Sequence, residues 1–361
     1  MWYNTKATEI LGIDYPILQG PFGGGLSSLE LVKTVSDAGG LGGYGACTLS
    51  AQEIYDVDKK IRAATHKPYN INLWVSDTDT AGGIVADEHF EQVRQLFKPY
   101  FDEAGIPLPG KPPSFVSRFE NQVQVILDIR PKVFSFMFGI PSANILEQMH
   151  KSGIKTIGAA TTPGEAIALE AAGVDLIIAS GFEAGGHRPS FLAPSEESIY
   201  GTFTLIQLIK EKVKTPIIAA GGIANGRGIA SALVLGAAAV QIGTAFLATD
   251  ESDALPVHRN TLFSDAAKYT SLTRAFTGRL GRGVNNRIVT DMIGKEKQIL
   301  PYPLQSTFMS SLRTAALEQQ KTDMVFFWGG QIAPILKHRS AAALMHSLIQ
   351  EADEIMALQT G

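Results

Sequence analysis

Apolar residues along the chain fall into two alternating patterns. Short unbroken runs occur at 15–20 (YPILQG), 41–46 (LGGYGA), 69–75 (YNINLWV), 133–139 (VFSFMFG), 155–160 (KTIGAA), 175–181 (DLIIASG), 216–222 (PIIAAGG) and 239–247 (AVQIGTAFL). Between them lie stretches with helical periodicity, such as SLELVKTVSDAG, SAQEIYDVDKKIRAA and TPGEAIALEAAG. Strands covered by helices on both faces read as continuous apolar runs, so each pair reads as a βα unit of a parallel sheet. Eight such units predict an α/β fold, a (β/α)8 TIM barrel, with a doubly wound open sheet as the competing topology. Two segments break the rhythm. Residues 76–130 are polar and helix-rich, with Pro107, Pro109, Pro112 and Pro113 in a connecting stretch. Residues 251–361 hold two long helical patterns, around STFMSSLRTAALEQQ and SAAALMHSLIQEADEIMAL. The expected division is a barrel from 1–75 and 131–250, with 76–130 and 251–361 as a smaller, mostly helical domain that packs on it and roofs a cleft.

Composition narrows the partners. The formal net charge is −4 over 361 residues, without a block of like charge, which argues against nucleic acid or an anionic membrane as the main partner. The start of the chain lacks a basic region followed by an apolar one, and no apolar run is long enough to span a bilayer. Cys47, the single cysteine, excludes an intramolecular disulfide and a thiolate metal cluster. The expectation is a cytoplasmic protein.

The glycines change the picture further. Active sites of such barrels form on the loops after the strands, and phosphates settle after strands seven and eight. There the sequence reads AAGGIANGRG (219–228), with Gly221, Gly222 and a helix starting near Gly226, followed by Gln241, Ile242, Gly243 and Thr244. Amides without a Cβ can approach a phosphate, and the helix start is expected to add a favourable dipole. No G-x-G-x-x-G follows the first strand, so FMN or a phosphosugar suits the pattern better than a dinucleotide. Pro21, Phe22 and Gly23 follow the first strand in QGPFGGG, where a flat ring can lie against backbone. Asn72 on the third run, with Asn70 on the same face, can hydrogen-bond such a ring or satisfy strand-end backbone.

One histidine stands apart. His187 follows the sixth run in SGFEAGGHRPS, beside Gly185 and Gly186, on the rim where catalysis belongs; the other six lie on helix-like or terminal polar stretches. An imidazole there can accept a proton near neutral pH or donate to a developing anion. Glu183 can orient the loop or the ring; Arg188 can pair with an acid or attract an anionic substrate. Lys295, Lys297 and Tyr302 can line an anion-attracting cleft or an ordinary loop. HExxH and other metal-ligand spacings are absent, so no metal is expected.

Together, EAGGHRPSF, the stretch 219–252, TRAFTGRLGRGVNNR, FFWGGQ, ILQGPFGGG, VSDAGGLGGYGA and INLWV resemble the nitronate monooxygenase family, formerly 2-nitropropane dioxygenases, from about Leu11 to His338. The resemblance implies FMN on the barrel and a helical domain over the substrate cleft. It implies oxidation of alkyl nitronates or nitroalkanes by O2 to carbonyl compounds and nitrite; the sequence does not fix the oligomeric state, for which a homodimer is one candidate. It places the family's catalytic histidine on His187 and its FMN contacts on Pro21, Phe22, Gly23, Asn72, Gly185, Gly221, Gly222 and Gln241 to Thr244. Ser180 stands where the family often has glutamine, Phe22 where methionine is usual, and Pro189 where glycine is common. The nearest alternative is an FMN-dependent NAD(P)H enoyl-ACP or quinone reductase on the same barrel.

Overall fold

The computed structural model describes residues 1–75, 85–113 and 116–358. In chain order the strands are β1 (Ile17–Gln19), β2 (Gly42–Gly45), β3 (Tyr69–Trp74), β4 (Val133–Met137), β5 (Lys155–Ala160), β6 (Leu176–Ser180), β7 (Gly186–His187), β8 (Ile217–Ala220), β9 (Ala239–Ile242), β10 (Thr270–Thr273) and β11 (Gly281–Val284). Eight of them form one parallel sheet in the order β1-β9-β8-β6-β5-β4-β3-β2. Its edges meet: Gln19 N–H donates to Leu41 O at 2.9 Å, and Leu41 N–H to Ile17 O at 3.0 Å. The result is a nearly closed barrel with helices around it, built from the eight apolar runs.

Alternation along each strand separates two apolar layers. Ile17, Ile71, Phe134, Ile177, Ile217 and Val240 face the helices, in the cluster that also holds their buried stripes. Leu18, Val133, Ile157, Leu176, Ile218 and Ala239 fill the barrel, and Ala7 and Leu11 of the helix Lys6–Leu11 join that filling. The helices begin where local chemistry demands. Ser28, Ser50, Ser142, Thr162 and Asn225 each accept an amide N–H of the first turn, worth about 1 kcal/mol apiece.

A second apolar cluster sits outside the barrel. Phe308, on the helix Leu304–Glu318, is surrounded by Phe90, Phe97 and Phe101 of the helix Asp87–Ala104, at ring distances of 6.1, 5.8 and 5.4 Å. Helices Phe119–Ile129 and Ala341–Leu358 bury their apolar faces in the barrel's outer layer instead. Beside the second cluster lies a three-stranded antiparallel sheet, β10-β11-β7, that the periodicity did not predict. Its strands are short, and β11 reads GRGV, so no apolar alternation marks it. No helix among the described residues is long and apolar enough to cross a membrane.

Candidate active site

The loop after β6 carries the candidate site. Gly186 turns the chain with φ of +85°, a left-handed conformation that side chains resist. His187 then pairs with Gly281, and Gly186 with Arg282, in antiparallel register. Gly185 is glycine for a different reason. An added Cβ would lie 2.7 Å from both Gly329 C and Gly330 N, so the loop and the 329–330 backbone touch directly. Arg188, only 2% exposed, points inward, where its guanidinium donates to Gly181 O at 2.6 Å and Ser198 O at 2.8 Å. It staples both ends of the loop. The Glu183 carboxylate accepts Thr202 N–H at 3.0 Å and Thr202 O–H at 2.9 Å, closing the start of the helix Thr202–Lys210. Both residues orient the loop.

His187 Nε2 lies 2.8 Å from Thr277 Oγ1. Four aromatic rings meet the imidazole edge-on: Trp328 at 4.7 Å, Trp74 at 5.4 Å, Tyr302 at 6.1 Å and Phe138 at 6.3 Å. Arg279 stacks over Phe138, Tyr302 and Trp74, at 3.8, 4.3 and 5.5 Å to their centroids. Burial in this aromatic box, with the Arg279 charge beside it, pushes the His187 pKa down to about 3. The imidazole is neutral at pH 7. Behind the box, buried His258 contacts Trp328 O through Nε2 at 2.7 Å, and burial lowers its pKa to about 4.

The other expected residues gather on the same rim. Gly20 and Gly243, at the ends of β1 and β9, pack so closely that an added Cβ on Gly20 would lie 3.3 Å from Gly243 Cα. This brings the Pro21–Gly23 loop beside Gly243 and Thr244. Phe22 N–H donates to Ser27 Oγ at 2.9 Å, and Gly23 abuts Cys47 and Trp74. Burial pushes the Cys47 thiol up to about 12, which leaves it a filler. Ser180 is buried at the end of β6, while Gln241 and Met137 remain partly exposed. Asn70 and Asn72 each donate an amide N–H to Ser135 Oγ, at 2.8 and 2.9 Å, so Asn72 serves the barrel interior with one of its groups. Asn70 Oδ1 is buried without a partner among the described residues.

At the glycine pair, Gly221 (φ +111°) and Gly222 (φ +70°) both need left-handed backbone, and Gly222 is exposed. The expected helix dipole is already engaged. Gly226 N–H donates to Glu351 Oε2 at 3.0 Å, and Gly228 N–H to Asn225 Oδ1 at 3.0 Å. A carboxylate from the helix Ala341–Leu358 thus occupies the helix start, a pairing separated by more than a hundred residues that no local pattern reveals. Trp74, Phe138, Thr277, Arg279 and Trp328 also escaped assignment, although four of them lie inside or beside quoted motifs: INLWV, TRAFTGRLGRG and FFWGGQ. Lys295 and Lys297 lie next to and in a short 3-10 turn, 296–298, respectively. Among the described residues, no group of His, Cys, Asp and Glu could hold a metal.

A nearly closed parallel barrel with a neutral, aromatic-boxed imidazole on the rim after its strands defines a (β/α)8 enzyme. The profile of the nitronate monooxygenase family matches residues 4–351, and the chain belongs to that family, an oxidoreductase family. Relatives include a probable nitronate monooxygenase of Staphylococcus haemolyticus, 36% identical over 360 residues, and one of Staphylococcus aureus (strain Newman), 35% identical over 357, each alignment covering 99% of both chains. The nitroalkane oxidase of Streptomyces ansochromogenes superimposes with a TM-score of 0.89 at 32% identity, covering 98% of this chain and 100% of that one. FabK from Thermotoga maritima shares the fold, with a TM-score of 0.72 at 24% identity and 99% coverage of both.

Proposed function

We propose that this chain is an FMN-dependent nitronate monooxygenase that oxidises alkyl nitronates, and neutral nitroalkanes after deprotonation, with O2 to carbonyl compounds and nitrite. The single observation that carries this reading is the placement of His187 on the barrel rim, edge-on to Trp328 at 4.7 Å and held at Nε2 by Thr277 Oγ1 at 2.8 Å. A neutral imidazole can take the α-proton of a nitroalkane, and a nearby guanidinium favours the anion that remains.

The residues present fit FMN. Ser180, Gln241, Gly20 and Gly243 offer small or hydrogen-bonding groups around the mouth, and Gly222 has no atom within 3.7 Å of an added Cβ, which leaves room for a phosphate. Pro21, Phe22, Gly23 and Asn72 would support the ring; Gly185, Gly221, Gly222 and Gln241 to Thr244 would hold the ribityl phosphate side. When bound, FMN supplies the two-electron acceptor and the reaction with O2. The protein's part is to bind the anion, exclude water with Trp74, Phe138, Tyr302 and Trp328, and hold a proton on His187. We assign the roofing of this cleft to 85–113 and 251–336, supported by the cluster around Phe308.

Aerobic nitrite release from ethyl nitronate and nitroethane, with and without NADH or NADPH, tests the reading. Nitrite without nicotinamide is expected. Anaerobic bleaching of the yellow protein by NADH or NADPH, with no nitrite formed in air, would favour the enoyl-ACP or quinone reductase alternative.

A further inference from the structure

His187 is held by a hydroxyl whose hydrogen-bond possibilities are constrained. Among the described residues Thr277 Oγ1 has three polar neighbours: His187 Nε2 at 2.8 Å, Arg279 O at 3.2 Å and Arg279 N at 3.4 Å. The carbonyl can only accept and the amide can only donate, while the hydroxyl has one proton and two lone pairs. One arrangement satisfies all three contacts. The hydroxyl proton goes to Arg279 O, and the lone pairs take Arg279 N–H and His187 Nε2–H. The reverse arrangement sends the hydroxyl proton to His187 and leaves two oxygens facing each other at 3.2 Å without a proton between them.

We infer that Thr277 is a positioning residue that fixes His187 as its Nε2–H tautomer, so that Nδ1 is the nitrogen that takes the substrate's proton. Ring orientation supports this. An added Cβ on Gly281 would lie 3.1 Å from His187 Cδ2, so the Cδ2–Nε2 edge is turned to the β10–β11 hairpin. The Nδ1–Cε1 edge therefore points away from that hairpin. The four edge-on aromatic rings hinder the ring flip that would exchange the two edges.

The inference rests on the base role proposed above for His187. In the step, the α C–H bond of a neutral nitroalkane breaks, its electron pair stays on the substrate as the nitronate, and the proton moves to Nδ1. The imidazolium formed keeps Nε2–H on Thr277 Oγ1, whose own proton remains on Arg279 O. A substrate supplied as the nitronate needs no such transfer.

The test uses the holoprotein labelled with 15N-histidine, with His187 assigned by comparison with His187→Asn. Nitrogen shifts should report a protonated Nε2 and an unprotonated Nδ1 in the wild type, and a mixture of tautomers in Thr277→Val. Nitrite from nitroethane should fall about tenfold or more in Thr277→Val, on the scale of losing an orienting partner of a histidine. Nitrite from ethyl nitronate should change by less than about threefold, and Thr277→Ser should restore the wild-type tautomer and both rates. An Nδ1–H tautomer in the wild type, or equal losses on both substrates in Thr277→Val, overturns the inference. If Thr277→Val does not fold, the wild-type and Thr277→Ser spectra still decide the tautomer. Absence of nitrite from both substrates in the wild type would instead remove the parent reading, while the spectra would still report on Thr277.

Discussion

Gly330 donates its amide N–H to Thr244 Oγ1 at 2.9 Å, and this bond ties the loop after β9 to the loop that carries Trp328. Trp328 is the ring nearest to the His187 imidazole, at 4.7 Å. The wall of the aromatic box and the proposed phosphate cradle are therefore parts of one packed unit, with Gly185 wedged against it.

That packing predicts the effect of adding one carbon. A Cβ at Gly330 would lie 2.7 Å from Glu183 O and 3.0 Å from Gly185 N, both backbone atoms that cannot swing aside. Gly330→Ala should lose about 2 kcal/mol of stability, read from urea unfolding midpoints at constant slope. A wild-type midpoint would mean that the two loops are not in contact.

The glycine pair should separate stability from cofactor retention. Gly221→Ala brings a Cβ to 2.8 Å from Thr202 Oγ1, whereas at Gly222 the nearest atom stands at 3.8 Å. Both need left-handed backbone, at a cost of about 1–2 kcal/mol for a side chain. Gly221→Ala should therefore unfold more readily than Gly222→Ala. Gly222→Ala should purify with less FMN, measured as flavin absorbance per protein, because its methyl group enters the space assigned to the phosphate. Full flavin content in Gly222→Ala would move the phosphate elsewhere.

Arg188 should behave as a staple. Arg188→Met leaves the buried Ser198 carbonyl without its guanidinium donor and the Gly181 carbonyl with Ala184 N–H alone, a loss of about 3 kcal/mol. Arg188→Lys should recover little, since an ammonium lacks the fork that reaches both oxygens. Thermal melts of the three proteins check this; a Lys variant as stable as wild type would contradict it.

Acid should weaken the fold through two histidines. Burial holds His187 at about 3 and His258 at about 4, both below the ordinary 6.5, so the unfolded chain binds more protons between those values. Their contribution to stability is complete above pH 6.5 and is lost as pH falls toward 4 and 3. Melting temperature should fall across that window. His258→Gln, which keeps a donor for Trp328 O, should flatten the slope; an unchanged slope would place His258 in water.

The barrel was legible because strands buried on both faces have to be continuous apolar runs, and each of the eight runs contains a strand. The sheet β10-β11-β7 was not, because Gly186–His187 is two residues long and its partner is half glycine; only pairing across about ninety residues makes it a strand. The same limit hid Glu351 at the start of the helix Gly226–Val234 and Thr277 on His187. The position of His187 on the rim was legible from its place after the sixth run, while its chemical role is the proposal made above. Arg188 was not, since an exposed arginine and a buried one are written with the same letter, and only its two carbonyl partners decide between them.

The claim on which the rest depends is that His187 serves as a base toward a carbon acid on the barrel rim. Its most direct test is nitrite release by His187→Asn from nitroethane and from ethyl nitronate, in parallel, with flavin content confirmed. The loss on nitroethane should be about 10²–10⁴-fold, the usual worth of a positioned base, with a far smaller loss on the nitronate. Equal losses on both substrates would contradict it.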